Sequence, residues 1–215
     1  MTGQQGRSGP VTGRRDRRAL VRPMALVALV GLTLTVLASL AARDGTVSGP
    51  ERSVFEAING LPDWLERTMW GFQLLGVLVT PVVIAAVLLV LRRWRPALAL
   101  LLLVPLKLVA ERQILKKLVE RQRPGQTETD PILRDVPSAG LSFPSGHAMV
   151  AAAMLVILWP YLGRTGRVIA TLLALGVGFA RIYLGAHNPL DVVAGAGLGL
   201  VLGAVLTLVV GVHRR

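Results

Sequence analysis

An all-α, polytopic membrane protein is the fold class this sequence predicts: a six-transmembrane-helix bundle with its N- and C-termini cytoplasmic. Three observations predict it. The chain of 215 residues is 53% hydrophobic and only 17% charged, too apolar for an ordinary soluble domain. Its longest uncharged windows, Pro23 to Ala42, Thr68 to Leu91 and Val192 to Val212, reach the roughly 20 helical residues that cross a hydrocarbon core of about 30 Å. Its arginines gather in clusters between the apolar windows rather than inside them.

Residues 1–22, rich in Gly, Arg, Gln and Ser, read as a disordered basic cytoplasmic tail able to touch anionic lipid headgroups. The membrane domain then occupies 23–215. Its first span, Pro23 to Ala42, competes with a secretory signal stopping near Ser39-Leu40-Ala41. The apolar stretch is longer than the usual signal core of about 7 to 15 residues, which favours a retained signal-anchor. The second span is Thr68 to Leu91. The third, Pro96 to about Leu115, contains Lys107 and then Glu111 and Arg112, charges that must snorkel or face the bundle. The fourth is Gly146 to Leu162. The fifth, Val168 to about Leu184, carries Arg181 near its end, and the sixth is Val192 to Val212.

Orientation follows from the basic flanks, which favour the cytoplasm. With six spans, four clusters fall on one side: Arg14 to Arg22, Arg92 to Arg95, Arg164 with Arg167, and Arg214-Arg215. The first-to-second loop carries Asp44, Glu51, Glu56, Asp63 and Glu66 against three arginines, as an external loop should. The third-to-fourth connection is external yet holds Lys116, Lys117, Arg121 and Arg123, an excess that topology does not explain. The net charge of +12 belongs largely to these flanks, and no aromatic-interleaved basic face accompanies it, which argues against a nucleic-acid partner. All but three of the cations are Arg, a compositional hint of a GC-rich bacterial genome and so of a bacterial cytoplasmic membrane. The absence of Cys excludes disulfides and thiolate metal sites.

Three clusters of polar residues stand at the external boundary. In Pro144-Ser145-Gly146-His147, Ser145 is placed as the N-cap of the fourth helix. Helix-start N–H groups attract anions, and Gly146 lets one approach the backbone. A simple cap beside an interfacial histidine accounts for the same residues. In 181-RIYLGAHNPLD-191, Asn188 and Pro189 read as N-cap and first helical residue, which puts Asp191 in the first turn, within reach of His187. A carboxylate on one ring nitrogen leaves the other free to act as nucleophile or base; capping alone explains Asp191 but not His187. In 116-KKLVERQRP-124, Lys116 and Arg123 share a face of a two-turn helix that Pro124 ends, a possible phosphoryl clamp. Lys117, Glu120 and Arg121 read as a solvated face. His213 lies in the basic C-terminal stretch and reads as solvated. Gly195, Gly197, Gly199 and Gly203 lie in an uncharged span with no strand before it, which points to helix packing rather than dinucleotide binding.

Lys116 with Arg123-Pro124, then Pro144-Ser145-Gly146-His147, then Arg181 with His187 and Asp191, resembles the three-part signature of the type-2 phosphatidic acid phosphatase superfamily. The likeness is to its membrane branch of lipid phosphate and polyprenyl diphosphate phosphatases. One departure is Ala180, where the third motif usually begins with Ser. The resemblance implies an integral membrane phosphatase, its active site facing the extracytoplasmic side, acting on a phosphomonoester or diphosphate lipid such as phosphatidic acid, phosphatidylglycerol phosphate or a polyprenyl diphosphate. It implies that His187 attacks phosphorus and is transiently phosphorylated, that Asp191 holds its ring, and that His147 protonates the leaving group and then activates water. Lys116, Arg123 and Arg181, assisted by Ser145 and Gly146, would bind the phosphate oxygens. No cofactor is implied, and no carboxylate cluster suggests a metal. A phosphotransferase using the same intermediate, or a non-catalytic lipid-phosphate binding or transport protein, is the alternative; the latter would need cations but no nucleophile.

Overall fold

The structure is a computed structural model that describes residues 12–111 and 119–212, with side chains described from residue 21 onward. Its helices are α1 (Thr12–Ala42), α2 (Gly49–Asn59), α3 (Glu66–Leu74), α4 (Val79–Val90), α5 (Trp94–Leu108), α6 (Gly146–Leu158), α7 (Arg164–Tyr183) and α8 (Pro189–Val210). Among the described residues there are also two 3-10 turns, Asp63–Leu65 and Trp159–Tyr161, and one helical turn, Pro124–Thr127. Among the described residues there is no strand, only an isolated antiparallel bridge between Gln122 and Leu141. The tail expected over 1–22 shares residues 12–22 with α1.

Val21–Ala42, α7 and α8 are each long and apolar enough to cross a membrane. The expected second span is not one helix. It is broken between α3 and α4, and the two halves are bent by 55°. The backbone turns at the break through Gly76 N to Gln73 O at 2.9 Å, while the Thr80 hydroxyl donates to Leu74 O at 2.7 Å, so groups released from the helical ladder are satisfied locally. α6 with its following 3-10 turn is a shorter apolar helix. α5 runs into a wider turn over residues 109–111, where the described part of the expected third span stops.

α8 is the axis of the bundle, packed along α1 on one side and α6 on another. Its glycines make this possible: Gly197 lies against the Gly31 backbone of α1, and Gly199 and Gly203 lie against Met149, Ala152, Ala153 and Val156 of α6. Small residues let helices approach to backbone contact, the packing that stabilises bundles where lipid removes the hydrophobic drive. The outer faces remain apolar and exposed, as with Leu29 and Leu37 of α1, Val83 of α4 and Leu172 of α7. Water would penalise such a surface; hydrocarbon does not. The chain is a membrane protein. Outside the bundle proper, Arg134 ties the segment after α2 to the end of α7. It donates to Asn59 O, Tyr183 O and Leu61 O at 2.9, 2.7 and 3.0 Å, and its guanidinium stacks 4.0 Å from the Tyr183 ring centroid.

Packing of α8 on α6 predicts the outcome of enlarging Gly203, where an added Cβ would stand 2.8 Å from Val156 Cβ and 2.9 Å from Ala153 O. Gly203→Leu should destabilise the bundle by about 1–3 kcal/mol or more, the usual cost of overpacking. A melting temperature in detergent equal to that of the native protein would contradict this packing.

Candidate active site

Two helix starts lie side by side. Ser145 occupies the N-cap position of α6 with extended backbone, and Asn188 does so for α8, followed by Pro189. Proline fits the first helical position because its φ is preset and its missing N–H would have no helical partner. The two starts are joined where Ser145 N donates to Asp191 O at 2.9 Å, and Gly195, one turn further along α8, leaves room for the Ser145 backbone. The Ser145 side chain does not cap α6 as expected. Its Oγ is buried and has no hydrogen-bond partner among the described residues.

His187 is delivered by the turn between α7 and α8. Gly185 takes a left-handed φ of 77°, which a side chain would resist, and the N–H groups of Ala186 and His187 fold back onto Arg181 O at 3.0 and 3.2 Å. The imidazole is buried, with Nδ1 3.5 Å from Asp191 Oδ2. The same oxygen accepts from Asn188 N at 3.0 Å, so Asp191 caps its helix and faces His187 at once. The capping and chemical readings of Asp191 are not exclusive.

His147, in the first turn of α6, lies near Arg181, His187, Lys107 and Arg123, so the predicted motifs converge. Arg181 is buried, and its guanidinium bonds Gln73 Oε1 at the end of α3. Gly76, at the break that follows, is small enough to sit against His147; a Cβ there would come within 2.8 Å of the His147 Cβ. Lys107 faces the bundle, ion-paired with Glu111 one turn on, and its Nζ lies where a Cβ on Gly146 would be, 2.6 Å from it. Ala180, the departure in the third motif, lies in an apolar cluster with Met69, Tyr183 and Leu184.

The cationic segment before the site differs from expectation. Lys116 lies outside the described residues. Residues 119–123 are not helical, and Pro124 opens a turn instead of ending one. The reason is steric: proline disfavours helical backbone at the preceding residue, and Arg123 is extended, φ −72° and ψ 161°. Its Nη1 donates to Ala186 O at 2.9 Å, beside His187. Burial lowers the Arg123 guanidinium from its ordinary value, with Asp191 and Glu111 opposing.

Arg121 was expected on a solvated face and is instead fully buried, 0% exposed. Nη1 donates to Glu51 Oε1 at 2.9 Å and to Asp191 Oδ1 at 3.3 Å, and Nη2 to Glu51 Oε2 at 2.6 Å. Burial disfavours its charge, but the bonds and charges of Glu51 and Asp191 more than offset this, and its pKa is raised. Glu120 beside it is exposed, as expected. Glu51, Gln73, Lys107 and Arg121 are thus the side chains at the site that motif reading missed. Among the described residues, no group of three or more His, Cys, Asp or Glu is placed to hold a metal ion.

Comparison with known proteins defines the class: a membrane phosphatase. The crystal structure of a transmembrane PAP2-type phosphatidylglycerolphosphate phosphatase from Bacillus subtilis matches with a TM-score of 0.65 and 29% identity, covering 83% of this chain and 94% of that one. Aquifex aeolicus LpxE matches with a TM-score of 0.57 and 26% identity, over 72% and 92%. The PAP2 superfamily profile matches residues 96–215, and the chain belongs to that superfamily. Phosphatidylglycerophosphatase B of Bacillus subtilis is 33% identical over 154 residues, 65% of this chain and 72% of the relative. Decaprenylphosphoryl-5-phosphoribose phosphatase of Mycobacterium tuberculosis is 38% identical over 103 residues, 47% of this chain and only 55% of the relative.

Close approach at Gly146 gives a test of the site's geometry. Gly146→Ala would drive a methyl group against Lys107 Nζ and, at 2.9 Å, Glu111 Oε2. Turnover of p-nitrophenyl phosphate should fall roughly tenfold, about 1.4 kcal/mol of barrier, with the melting temperature retained. Native turnover would show that the backbone here lies away from the reacting phosphate.

Proposed function

We propose that this protein hydrolyses the phosphate of a membrane lipid through a phosphohistidine formed at His187. The observation that carries the proposal is the His187–Asp191 pair at 3.5 Å, standing beside His147 and among Lys107, Arg123 and Arg181. Asp191 on Nδ1 leaves Nε2 as the nucleophile. Nε2 attacks phosphorus while the bond to the lipid oxygen breaks, and His147 gives its proton to that oxygen. His147 then takes a proton from water, which attacks the phosphohistidine and releases inorganic phosphate. Arg123, Arg181 and Lys116 hold the nonbridging oxygens, with the Gly146 N–H and Ser145 Oγ, and stabilise the charge that spreads over them in the transition state.

A lipid substrate is supported by an apolar groove of ≈ 680 Å³ between α1, α6, α7 and α8, lined by Leu34, Ala152, Leu155 and Phe179 and by Ala148 and Ile182. The last two residues follow His147 and Arg181 in the chain, so the groove runs along the two helices that carry these residues. The named substrates of the relatives, a glycerophospholipid phosphate and a polyprenyl-linked sugar phosphate, fit the same requirement of a phosphate ester on a long apolar tail.

The histidine roles separate experimentally. His187→Ala should abolish turnover of every substrate, because a nucleophile is needed whatever leaves. His147→Ala should slow the first step with a lipid phosphate by about 10²–10⁴-fold, the usual worth of a general acid, and much less with p-nitrophenyl phosphate, whose leaving group needs no proton. Single-turnover kinetics on both variants is the measurement; equal losses with both substrates would remove His147 as the leaving-group acid.

We further propose six membrane crossings, α3–α4 counting as one and α5 as another, in a bacterial cytoplasmic membrane with cytoplasmic termini and an extracytoplasmic site. The arginine clusters support this orientation. A Cys at the exposed Thr129 should react with an impermeant thiol reagent in intact cells, and one at the exposed Thr165 should not; reversed labelling would invert the topology.

A further inference from the structure

Glu51 reads from sequence only as one of the acidic residues of the first-to-second loop, and the structure places it in the first turn of α2, three residues after Ser48. Ser48 does cap α2, its Oγ accepting from Glu51 N at 3.4 Å. The Glu51 carboxylate, however, reaches out of its own helix. It takes both Arg121 nitrogens, at 2.9 and 2.6 Å, and Oε1 also accepts from Leu190 N at 2.9 Å, in the first turn of α8. Arg121 Nη2 is fixed further by Thr46 O at 3.1 Å. One side chain of the external loop therefore holds both the start of α8 and the guanidinium that touches Asp191.

The contacts form a line, Glu51 to Arg121 to Asp191 to His187. Arg121 takes Asp191 Oδ1, leaving Oδ2 to face His187 Nδ1. The geometry points to Glu51 and Arg121 as positioning residues of the phosphoryl-transfer step, an inference that rests on the proposed role of His187. Their effect has two parts. Arg121 fixes the rotation of the Asp191 carboxylate. Glu51 supplies a second negative charge, so that the buried group of two carboxylates and one guanidinium is net negative beside the ring. Attack by Nε2 turns the neutral imidazole, Nδ1–H retained, into a phosphoimidazolium whose positive charge that group stabilises. Without Glu51, Arg121 and Asp191 cancel, and the guanidinium draws the carboxylate away from Nδ1.

A capping or purely structural role for Glu51 would not be read out through Asp191, and a double-mutant cycle separates the two. The full-length protein in detergent is assayed with p-nitrophenyl phosphate as Glu51→Gln, Asp191→Asn and the pair, with melting temperature recorded and phosphoenzyme formation followed in a single turnover. Glu51→Gln should lower kcat and the rate of phosphoenzyme formation on the order of tenfold to hundredfold, the range seen when a partner that orients a ligating histidine is removed, with KM unchanged. In the Asp191→Asn background the added loss should nearly vanish, since residues acting as a unit are not additive. Glu51→Asp, which keeps the charge, should recover part of kcat, and it carries the cycle if the amide variant does not fold. Native kcat in Glu51→Gln or, where that variant is unfolded, in Glu51→Asp, or losses that multiply in the double variant, would overturn the inference. His187→Ala is run alongside: if it retains activity, the nucleophile assignment fails and this inference with it, whereas an inactive His187→Ala beside multiplying losses removes this inference alone.

Discussion

One backbone hydrogen bond, from Ser145 N to Asp191 O, fixes α6 and α8 at a common level, and the site is built on that level. Each helix begins with a polar residue in extended conformation, and at α8 the first N–H groups are taken up by Asp191 Oδ2 and Glu51 Oε1. Gly195 against the Ser145 backbone removes the side chain that would hold the two starts apart. His147 follows one start and His187 precedes the other, so their separation is set by the joined helix starts and by the turn at Gly185 that folds His187 back onto Arg181 O. The same restraint lets Asp191 serve α8 and His187 together.

Burial of so much charge among apolar helices is the second constraint. An isolated ion moved into such surroundings costs several kcal/mol even after relaxation, so each must be answered locally. Lys107 is answered by Glu111 on the next turn, Arg181 by Gln73, and Arg121 by two carboxylates. These partners come from α3, α2 and the turn after α5 as well as from the signature segments. The first half of the chain therefore provides the electrostatic surroundings for residues carried by the second half, and the superfamily match over 96–215 begins after Glu51 and Gln73.

Helix content, the apolar windows and the grouping of His147, Arg123, Arg181, His187 and Asp191 were legible in the sequence, because each depends on local composition or on a spacing within one segment. Asn188-Pro189 marked the start of α8 for the same reason. Arg121 was misjudged because its neighbours Lys117 and Glu120 are charged, and a charge run looks alike whether water or two distant carboxylates receive it. Glu51 read only as one more acidic residue of the first-to-second loop, for want of any local sign that its carboxylate bonds a residue far along the chain. The bend between α3 and α4 was hidden by continuous hydrophobicity, although Gln73 and Gly76 inside an apolar window were signs of it. The helix drawn through Lys116 and Arg123 followed charge periodicity and gave too little weight to Pro124.

The bend between α3 and α4 also divides the duties of one stretch of chain. α3 packs against α7, and α4 packs against α5, so the two halves serve different neighbours. With the joint at Gly76, the first half walls the pocket, lending Gln73 to Arg181, while the second is a strut of the apolar core through Ala85 and Ile84. Pocket shape and bundle stability thus draw on separate residues of the same segment, and substitutions in one half can alter the enclosure of the reacting group while leaving the other half's packing as it was.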